Sequence, residues 1–338
     1  MQQLGGLVAE PDGIRIYPGP YGEQAHLILM GQGMRNRVRH NPFVATKLRQ
    51  LWRLVRESHQ RPMTGSSRPV ELVKSQDLGV TFIGHSSFLL QMGDRKVLID
   101  PVFSKRLVVL RRQRRPGLVV EELPPIDLVL LTHAHMDHLS VSSLRHVIRA
   151  TRRLTGKTPE VVVPKGVEDL VARLGFAQVH GLAWWEQIDV QGLRVTMTPG
   201  QHWGARMFRD THRGYGGYVV SSGDHSVYHS GDTAYFDGFR EIGDRLKPHV
   251  ALLPIGAYFP DSYRTVHTSP EEAVRGFVEL GADQMVPMHY GTFQLGREPM
   301  DEPLQRLKTE ATRLGINEKL KILEEGETMH LCLASSIR

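Results

Sequence analysis

Thr132-His133-Ala134-His135-Met136-Asp137-His138 places three histidines and an aspartate within six residues, directly after the apolar run Ile126-Asp127-Leu128-Val129-Leu130-Leu131. That run has the composition of a buried strand. In extended backbone alternate side chains share a face. His133, His135 and Asp137 are therefore expected to point one way, with His138 turning in from the next position. Imidazole nitrogens and a carboxylate converging on one point suit zinc or a similar borderline metal. The motif points to metal chemistry.

Composition narrows the ligand set. The chain has 338 residues, 40% of them hydrophobic and 23% charged, enough for one large α/β domain or two smaller ones. Cys332 is the only cysteine, which excludes an internal disulfide and a thiolate metal cluster. The ligands must then be histidines and carboxylates. No basic-then-apolar leader and no apolar run long enough to span a bilayer is evident. The expectation is a soluble cytoplasmic protein, at most peripheral on a membrane, with oligomeric state open and a homodimer as one option. Net charge is +6, concentrated in Arg111, Arg112, Arg114 and Arg115 after Lys105 and Arg106, and in Arg35, Arg37 and Arg39. Such patches attract phosphate, nucleic acid or anionic lipid headgroups. A solvated basic loop accounts for them equally well.

Residues 1–76 read as an N-terminal extension, rich in Gly, Pro and Arg, and 77–338 as the catalytic domain. The extension contains one amphipathic helix, Pro42 to Ser58, with Asn41 as N-cap and an apolar stripe of Val44, Leu48, Leu51, Trp52 and Val55. Lys47, Arg49, Arg53 and Arg56 occupy its other face, so it suits a membrane interface or packing on the main domain. From Leu78 strands and helices alternate. Strands are expected at 80–83, 88–91, 96–99, 161–163, 193–198, 217–221, 227–229 and 250–254, and helices near 141–154, 270–280 and 302–313. A hairpin with a Gly223-Asp224 turn leads to Asp232 much as an earlier one at Gly93-Asp94 leads to Asp100. Two similar halves suit a pair of facing sheets flanked by helices.

Three further candidate ligands each follow a strand. They are His202 in Pro199-Gly200-Gln201-His202-Trp203, Asp232 in Ser230-Gly231-Asp232-Thr233, and His289 in Pro287-Met288-His289-Tyr290-Gly291. Singly, each is an ordinary loop residue. In the order His133-x-His135-x-Asp137-His138, His202, Asp232, His289 they resemble the metallo-β-lactamase superfamily. Gly84-His85-Ser86, Asp100-Pro101-Val102-Phe103-Ser104, Ile255-Gly256-Ala257-Tyr258 and His289-Tyr290-Gly291-Thr292-Phe293 resemble, more narrowly, the N-acylphosphatidylethanolamine-hydrolysing phospholipase D family. The similarity runs from about residue 78 to 325.

The resemblance implies a four-layer αββα sandwich with two zinc ions, manganese or iron being alternatives. It assigns His133, His135 and His202 to one metal, Asp137, His138 and His289 to the other, and Asp232 to both. It implies a phosphodiesterase acting on N-acyl-phosphatidylethanolamine or a related phospholipid through a metal-bridging hydroxide, with Asp137 steering the proton and His267 near the headgroup. Tyr258 and Tyr290 are candidate substrate contacts. A lactonase is the alternative. A nuclease is less favoured, because no RNA-binding module is evident and no nucleic-acid partner is expected. Arg213–Tyr218 stands where the animal enzymes are rich in tryptophan, a candidate lining for an acyl-chain path. Trp184 and Trp185 read as core or rim packing before membrane anchors, and His85 as a support for the ligands.

Overall fold

Strands that are apolar at every position, such as Val250-Ala251-Leu252-Leu253-Pro254, must be covered on both faces. The architecture follows from that need. A computed structural model describes residues 7–10, 13–16, 52–207 and 210–332. The chain opens with the antiparallel pair β1 (Leu7–Glu10) and β2 (Gly13–Ile16) and helix α1 (52–60). The first half of the domain contains β3 (Leu78–Gly84), β4 (Ser87–Met92), β5 (Arg95–Ile99), the small hairpin β6 (Arg106–Leu107) and β7 (Leu110–Arg111), and β8 (Leu128–Leu130). Helix α2 (Val141–Thr155), β9 (Glu160–Pro164), α3 (Glu168–Val171) and β10 (Val179–Leu182) follow. The second half has β11 (Gln187–Val190), β12 (Leu193–Thr198), β13 (Gly217–Ser222), β14 (His225–His229), α4 (Gly238–Leu246) and β15 (Val250–Pro254). It ends with α5 (Pro270–Leu280), β16 (Gln284–Met288), α6 (Glu302–Arg313) and β17 (Thr328–Leu331).

One sheet runs β10-β9-β8-β5-β4-β3-β17 and the other β11-β12-β13-β14-β15-β16. Each half starts as antiparallel hairpins and continues as parallel strands, as the repeated Gly-Asp turns foreshadow. The pleat sorts side chains into layers. Phe88, Leu90 and Met92 of β4 enter the core between the sheets with Val250 and Leu252 of β15. Leu89 faces outward to Leu144 and Val147 of α2, and Ala251 and Leu253 face outward to Phe239 of α4 and Phe277 of α5. This is the αββα sandwich. Helix α5 is fixed at its ends by a capping box of Ser269 and Glu272, with Pro270 in its first turn and Gly281 closing it.

All the strands and helices expected from residue 78 onward are present. The strands β10, β11, β16 and β17 were not expected, and all four are sheet edges. Positions 42–51 of the expected helix, with Val44, Leu48 and Leu51, lie outside the described residues. Its remainder is helical from 52 to 60 and leaves Trp52 70% exposed. The stretch after it runs along the domain, Thr64 bonding to Gln113 and Val73 to Gln91. The arginine run is not one surface patch. Arg112 is fully buried and Arg114 pairs with Glu325 at 3.4 Å. Among the described residues no helix is long and apolar enough to cross a membrane.

Candidate metal centre

Five strands end at one edge of the sandwich, and the residue or loop after each faces the same hollow. Asp100 follows β5, residues 132–138 follow β8, His202 comes four residues after β12, Asp232 three after β14, and His289 directly after β16. Tight turns bring them in. His85, Asp100 and His289 have φ of 60°, 43° and 61°, a left-handed region that non-glycine residues seldom occupy and that concentrates at functional sites. Gly231 has φ +63°, and a Cβ there would lie 2.6 Å from the Gly216 carbonyl oxygen and 2.9 Å from Thr132 Cβ. The glycine before Asp232 thus serves close packing on the His133 loop.

The histidine motif converges differently from the simple alternation its spacing suggests. Residues 132–135 leave the sheet and 136–138 form a turn, with the His138 and Leu139 amides donating to the His135 carbonyl at 3.1 and 2.8 Å. His133 Nε2 lies 2.8 Å from His135 Nδ1, which lies 3.2 Å from His202 Nε2. His138 and His289 stand beside Asp137, each with Nε2 3.9 and 3.7 Å from Asp137 Oδ2. Asp232 lies between the two sets. Its Oδ2 is 3.9 Å from His133 Nε2 and from His202 Nε2, 3.2 Å from His138 Nε2 and 3.0 Å from His289 Nε2. All seven expected ligands therefore surround one hollow, in overlapping compact groups of ligand atoms that also take in His85 and His267.

Neighbours set which nitrogen each ring presents. His138 Nδ1 donates to Asp100 Oδ2 at 2.7 Å, His202 Nδ1 to the Val266 carbonyl at 2.9 Å, and His133 Nδ1 to Thr132 Oγ1 at 2.9 Å. Thr132 in turn donates from its amide and hydroxyl to the Asp100 carboxylate. Each ring thus turns its Nε2 to the hollow. Burial holds His133 and His202 well below the usual histidine range and His135 at about 4. Burial opposes the charge of Asp232, yet His138 and His289 hold its carboxyl well below the usual range. His133, His135 and His202 are thus neutral, as metal binding requires, whereas against the effect of burial the Asp232 carboxylate above all raises His289 to about 9 and His138 well above the usual range, so a cation held there would displace their protons.

The residues fit divalent cations on two observations. His133, His135 and His202 bring three ring nitrogens together without enough protons to satisfy one another. His138 Nε2 and His289 Nε2 are buried and face only carboxylate oxygens, at 3.0–3.9 Å and without a well-aligned hydrogen bond, and Asp232 Oδ1 is buried with no hydrogen-bond partner among the described residues. Buried polar atoms left this way are costly unless something else binds them. The donor set of imidazole and carboxylate suits zinc, iron or manganese.

A family model described as the beta-lactamase superfamily domain matches residues 95–290, which contain all seven of these side chains. The chain belongs to the metallo-β-lactamase superfamily. It is 32% identical over 253 residues to a metal-dependent hydrolase of Methanopyrus kandleri, covering 74% of this chain and 98% of that one. It is 30% identical over 270 residues to N-acyl-phosphatidylethanolamine-hydrolyzing phospholipase D 1 of Caenorhabditis elegans, covering 72% and 74%. A solved metallo hydrolase of the archaeon Ignicoccus hospitalis superposes with a TM-score of 0.58 at 26% identity, covering 75% of this chain and 98% of that one. This member of the superfamily is a metal-dependent hydrolase.

Around the ligands, the superfamily member differs in places from what its motifs suggest. His85 supports Asp137, its Nε2 lying 3.1 Å from Asp137 Oδ2, and burial lowers its pKa to about 4. His267 stands at the hollow, its Nδ1 3.9 Å from Asp232 Oδ2 and its ring stacked 5.2 Å from His289, with its pKa lowered to about 3 by burial. The two tyrosines are largely buried, Tyr290 lining a hollow beside His289. Tyr258 is 3% exposed and spends its hydroxyl on Glu302 beneath the Arg306 guanidinium, while Tyr290 is 4% exposed and packs in the core beside Phe82. Arg213 cannot line an acyl path, because it is buried against Asp169 and Asp210, and Tyr218 is fully buried with its hydroxyl on the Leu131 carbonyl. Tyr215 of that stretch lies beside the ligands, its ring 6.4 Å from that of His202. Trp185 packs under Arg245, and Trp184 sits at the rim with its indole donating to the Tyr215 carbonyl.

Two supporting residues have no role assigned from the sequence. Asp100 is one, although its place after a Gly-Asp hairpin marked it. The other is Arg206, whose Nη1 donates to the carbonyls of Ala134 at 2.7 Å and Leu139 at 2.9 Å. One guanidinium nitrogen thus clasps both ends of the ligand loop. Arg206→Ala strips both carbonyls of their donor, so a stability loss of about 1–3 kcal/mol is expected, with metal affinity falling about tenfold. Thermal melts of the metal-free protein and a zinc competition titration check this. An unchanged zinc affinity would reduce Arg206 to a structural clasp.

Proposed function

We propose that this chain hydrolyses a phosphodiester bond of a phospholipid, with N-acyl-phosphatidylethanolamine as the first candidate. The observation that carries the reading is the position of Asp232 Oδ2, within 3.0–3.9 Å of histidine nitrogens from both ligand groups. That arrangement suits a pair of cations sharing one carboxylate. His133, His135 and His202 would hold one, Asp137, His138 and His289 the other. Two divalent cations, when bound, supply Lewis acidity, acidify water towards neutrality and stabilise charge in an in-line displacement at phosphorus.

The chain's own groups do the rest. Asp137 is held by His85 on one side and stands 3.7 Å from His289 on the other, so it can accept a proton while staying in place. His267 is a neutral imidazole beside Asp232, suited to hydrogen-bond a phosphoryl oxygen or the leaving alcohol. Trp203 packs on His135 and His202, and Tyr215 and Trp184 continue this apolar rim outwards. A lipid substrate is supported by that rim and by the similarity to the phospholipase of Caenorhabditis elegans. The test is turnover by the zinc-loaded protein of N-acyl-phosphatidylethanolamine in detergent micelles, bis(p-nitrophenyl) phosphate and an acyl lactone. Lipid turnover well above the other two is expected. Preference for the lactone would replace the phosphodiesterase reading with a lactonase.

A further inference from the structure

The hairpin β6–β7 is a finger with an apolar tip on a basic stem. Val108 and Val109, its two turn residues, are 47% and 42% exposed. Val108 has φ +51°, a conformation that a β-branched side chain adopts at a cost and that Gly, Asn or Asp would take more readily. Lys105 and Arg106 are exposed on the ascending strand. Helix α1 leans on the returning strand, Ser58 Oγ accepting from the Arg111 amide at 3.2 Å and the Ser58 carbonyl from Gln113 at 2.9 Å. It adds exposed Trp52 and Arg56 less than two turns from that contact. Nearby, Arg53 is neutralised locally by Glu57.

The finger is rigidly mounted on the site. Buried Arg112 closes its base, donating from Nη1 to the Val102 carbonyl at 2.7 Å and from Nε to the Arg114 carbonyl at 2.8 Å. Ser104 Oγ lies 3.1 Å from Ser140 Oγ, two residues past His138, and the Gln113 amide donates to the Thr292 carbonyl at 2.8 Å, three residues past His289. The base therefore touches both loops that carry ligands of the second metal group.

We propose that the tip of this hairpin, with α1 beside it, inserts into the interface of an anionic lipid bilayer and sets the metal centre against the membrane. Exposed valines and a tryptophan supply the apolar insertion, and Lys105, Arg106 and Arg56 complement anionic headgroups. Docking would bring the cleft to its substrate, and that use rests on the phospholipid reading, while the docking itself does not.

The test is co-sedimentation of the full chain with vesicles of phosphatidylcholine alone and of phosphatidylcholine with phosphatidylserine. Binding to the anionic vesicles, weakened by salt, is expected. Val108→Asn with Val109→Asn is expected to weaken it about tenfold or more, since Asn tolerates the turn and the two valines no longer bury. Lys105→Glu with Arg106→Glu is expected to weaken it at least as much, at about fivefold per basic residue lost. Melting temperature, zinc content and turnover of bis(p-nitrophenyl) phosphate should stay as in the wild type. No wild-type binding to anionic vesicles, or both variants binding as the wild type does, would overturn the proposal. So would a fall in melting temperature for the valine pair with vesicle binding kept by the charge-reversal pair, which would show the tip covered by the chain's own N-terminal segment. Docking without phospholipid hydrolysis would sink the functional reading alone.

Discussion

Asp232→Asn is expected to cut phosphodiester turnover by about a thousandfold or more, roughly 4 kcal/mol of transition-state stabilisation, while the fold persists. The carboxylate is 3% exposed and lies within 3.0–3.9 Å of histidines from both ligand groups, so a single neutral amide removes the shared negative charge from two cation positions at once. The side chain keeps its size, and Asp232 belongs to none of the three apolar clusters that form the core. Circular dichroism should therefore be unchanged, while zinc measured by mass spectrometry falls below the wild-type stoichiometry. Full activity with full zinc in this variant would sink the ligand assignment.

Asp100→Asn is expected to lower affinity for the metal at the His138 position by about 10–100-fold without touching any ligand. Asp100 is fully buried and accepts three hydrogen bonds, from the Thr132 amide at 2.8 Å, the Thr132 hydroxyl at 2.6 Å and His138 Nδ1 at 2.7 Å. An asparagine has one acceptor oxygen where the carboxylate has two. With Thr132 still claiming that oxygen, the amide nitrogen faces His138. The ring then gains by placing its proton on Nε2, and a protonated Nε2 cannot bind a cation. The variant should also melt lower, because a buried network is left partly unsatisfied. Nitrogen chemical shifts of His138 in the metal-free protein, followed as pH is raised until the ring is neutral, report the tautomer. A wild-type tautomer with wild-type zinc affinity would remove Asp100 from the metal centre.

The ligands were legible in the chain because metal chemistry is written in residue types. The cluster from His133 to His138 stood out by itself, while His202, Asp232 and His289 were singled out by their resemblance to the superfamily's order of ligands. Their arrangement was less legible. Alternation along an extended segment suggested how His133, His135 and Asp137 converge, but a turn from Met136 to His138 brings them together instead. The surroundings of Tyr258 and Tyr290 were not legible either, because the partners that fix them, Glu302 of helix α6 and Phe82, are distant in sequence.

The same division runs through the fold. Strands buried on both faces, such as β4 and β15, carry continuous apolar runs and could be read directly. The edge strands β10, β11, β16 and β17 could not. β10 and β11 are four residues long and largely half-exposed or exposed, β17 turns outward at His330 and Leu331, and β16, although buried from Met285 to Met288, contains Pro287, which an edge tolerates because one side of its backbone has no ladder to complete. The sequence by itself determined the sandwich class, the repeated halves and the ligand set, since burial pattern and donor chemistry are local properties. Only the tertiary structure decided that Asp100 orients His138 from 38 residues away, that Arg206 clasps the ligand loop from 72 and 67 residues away, and that one arginine of the basic run is buried beneath a projecting hairpin. Hydrogen bonds and burial between such distant residues depend on how the two sheets stack, which no spacing along the chain records.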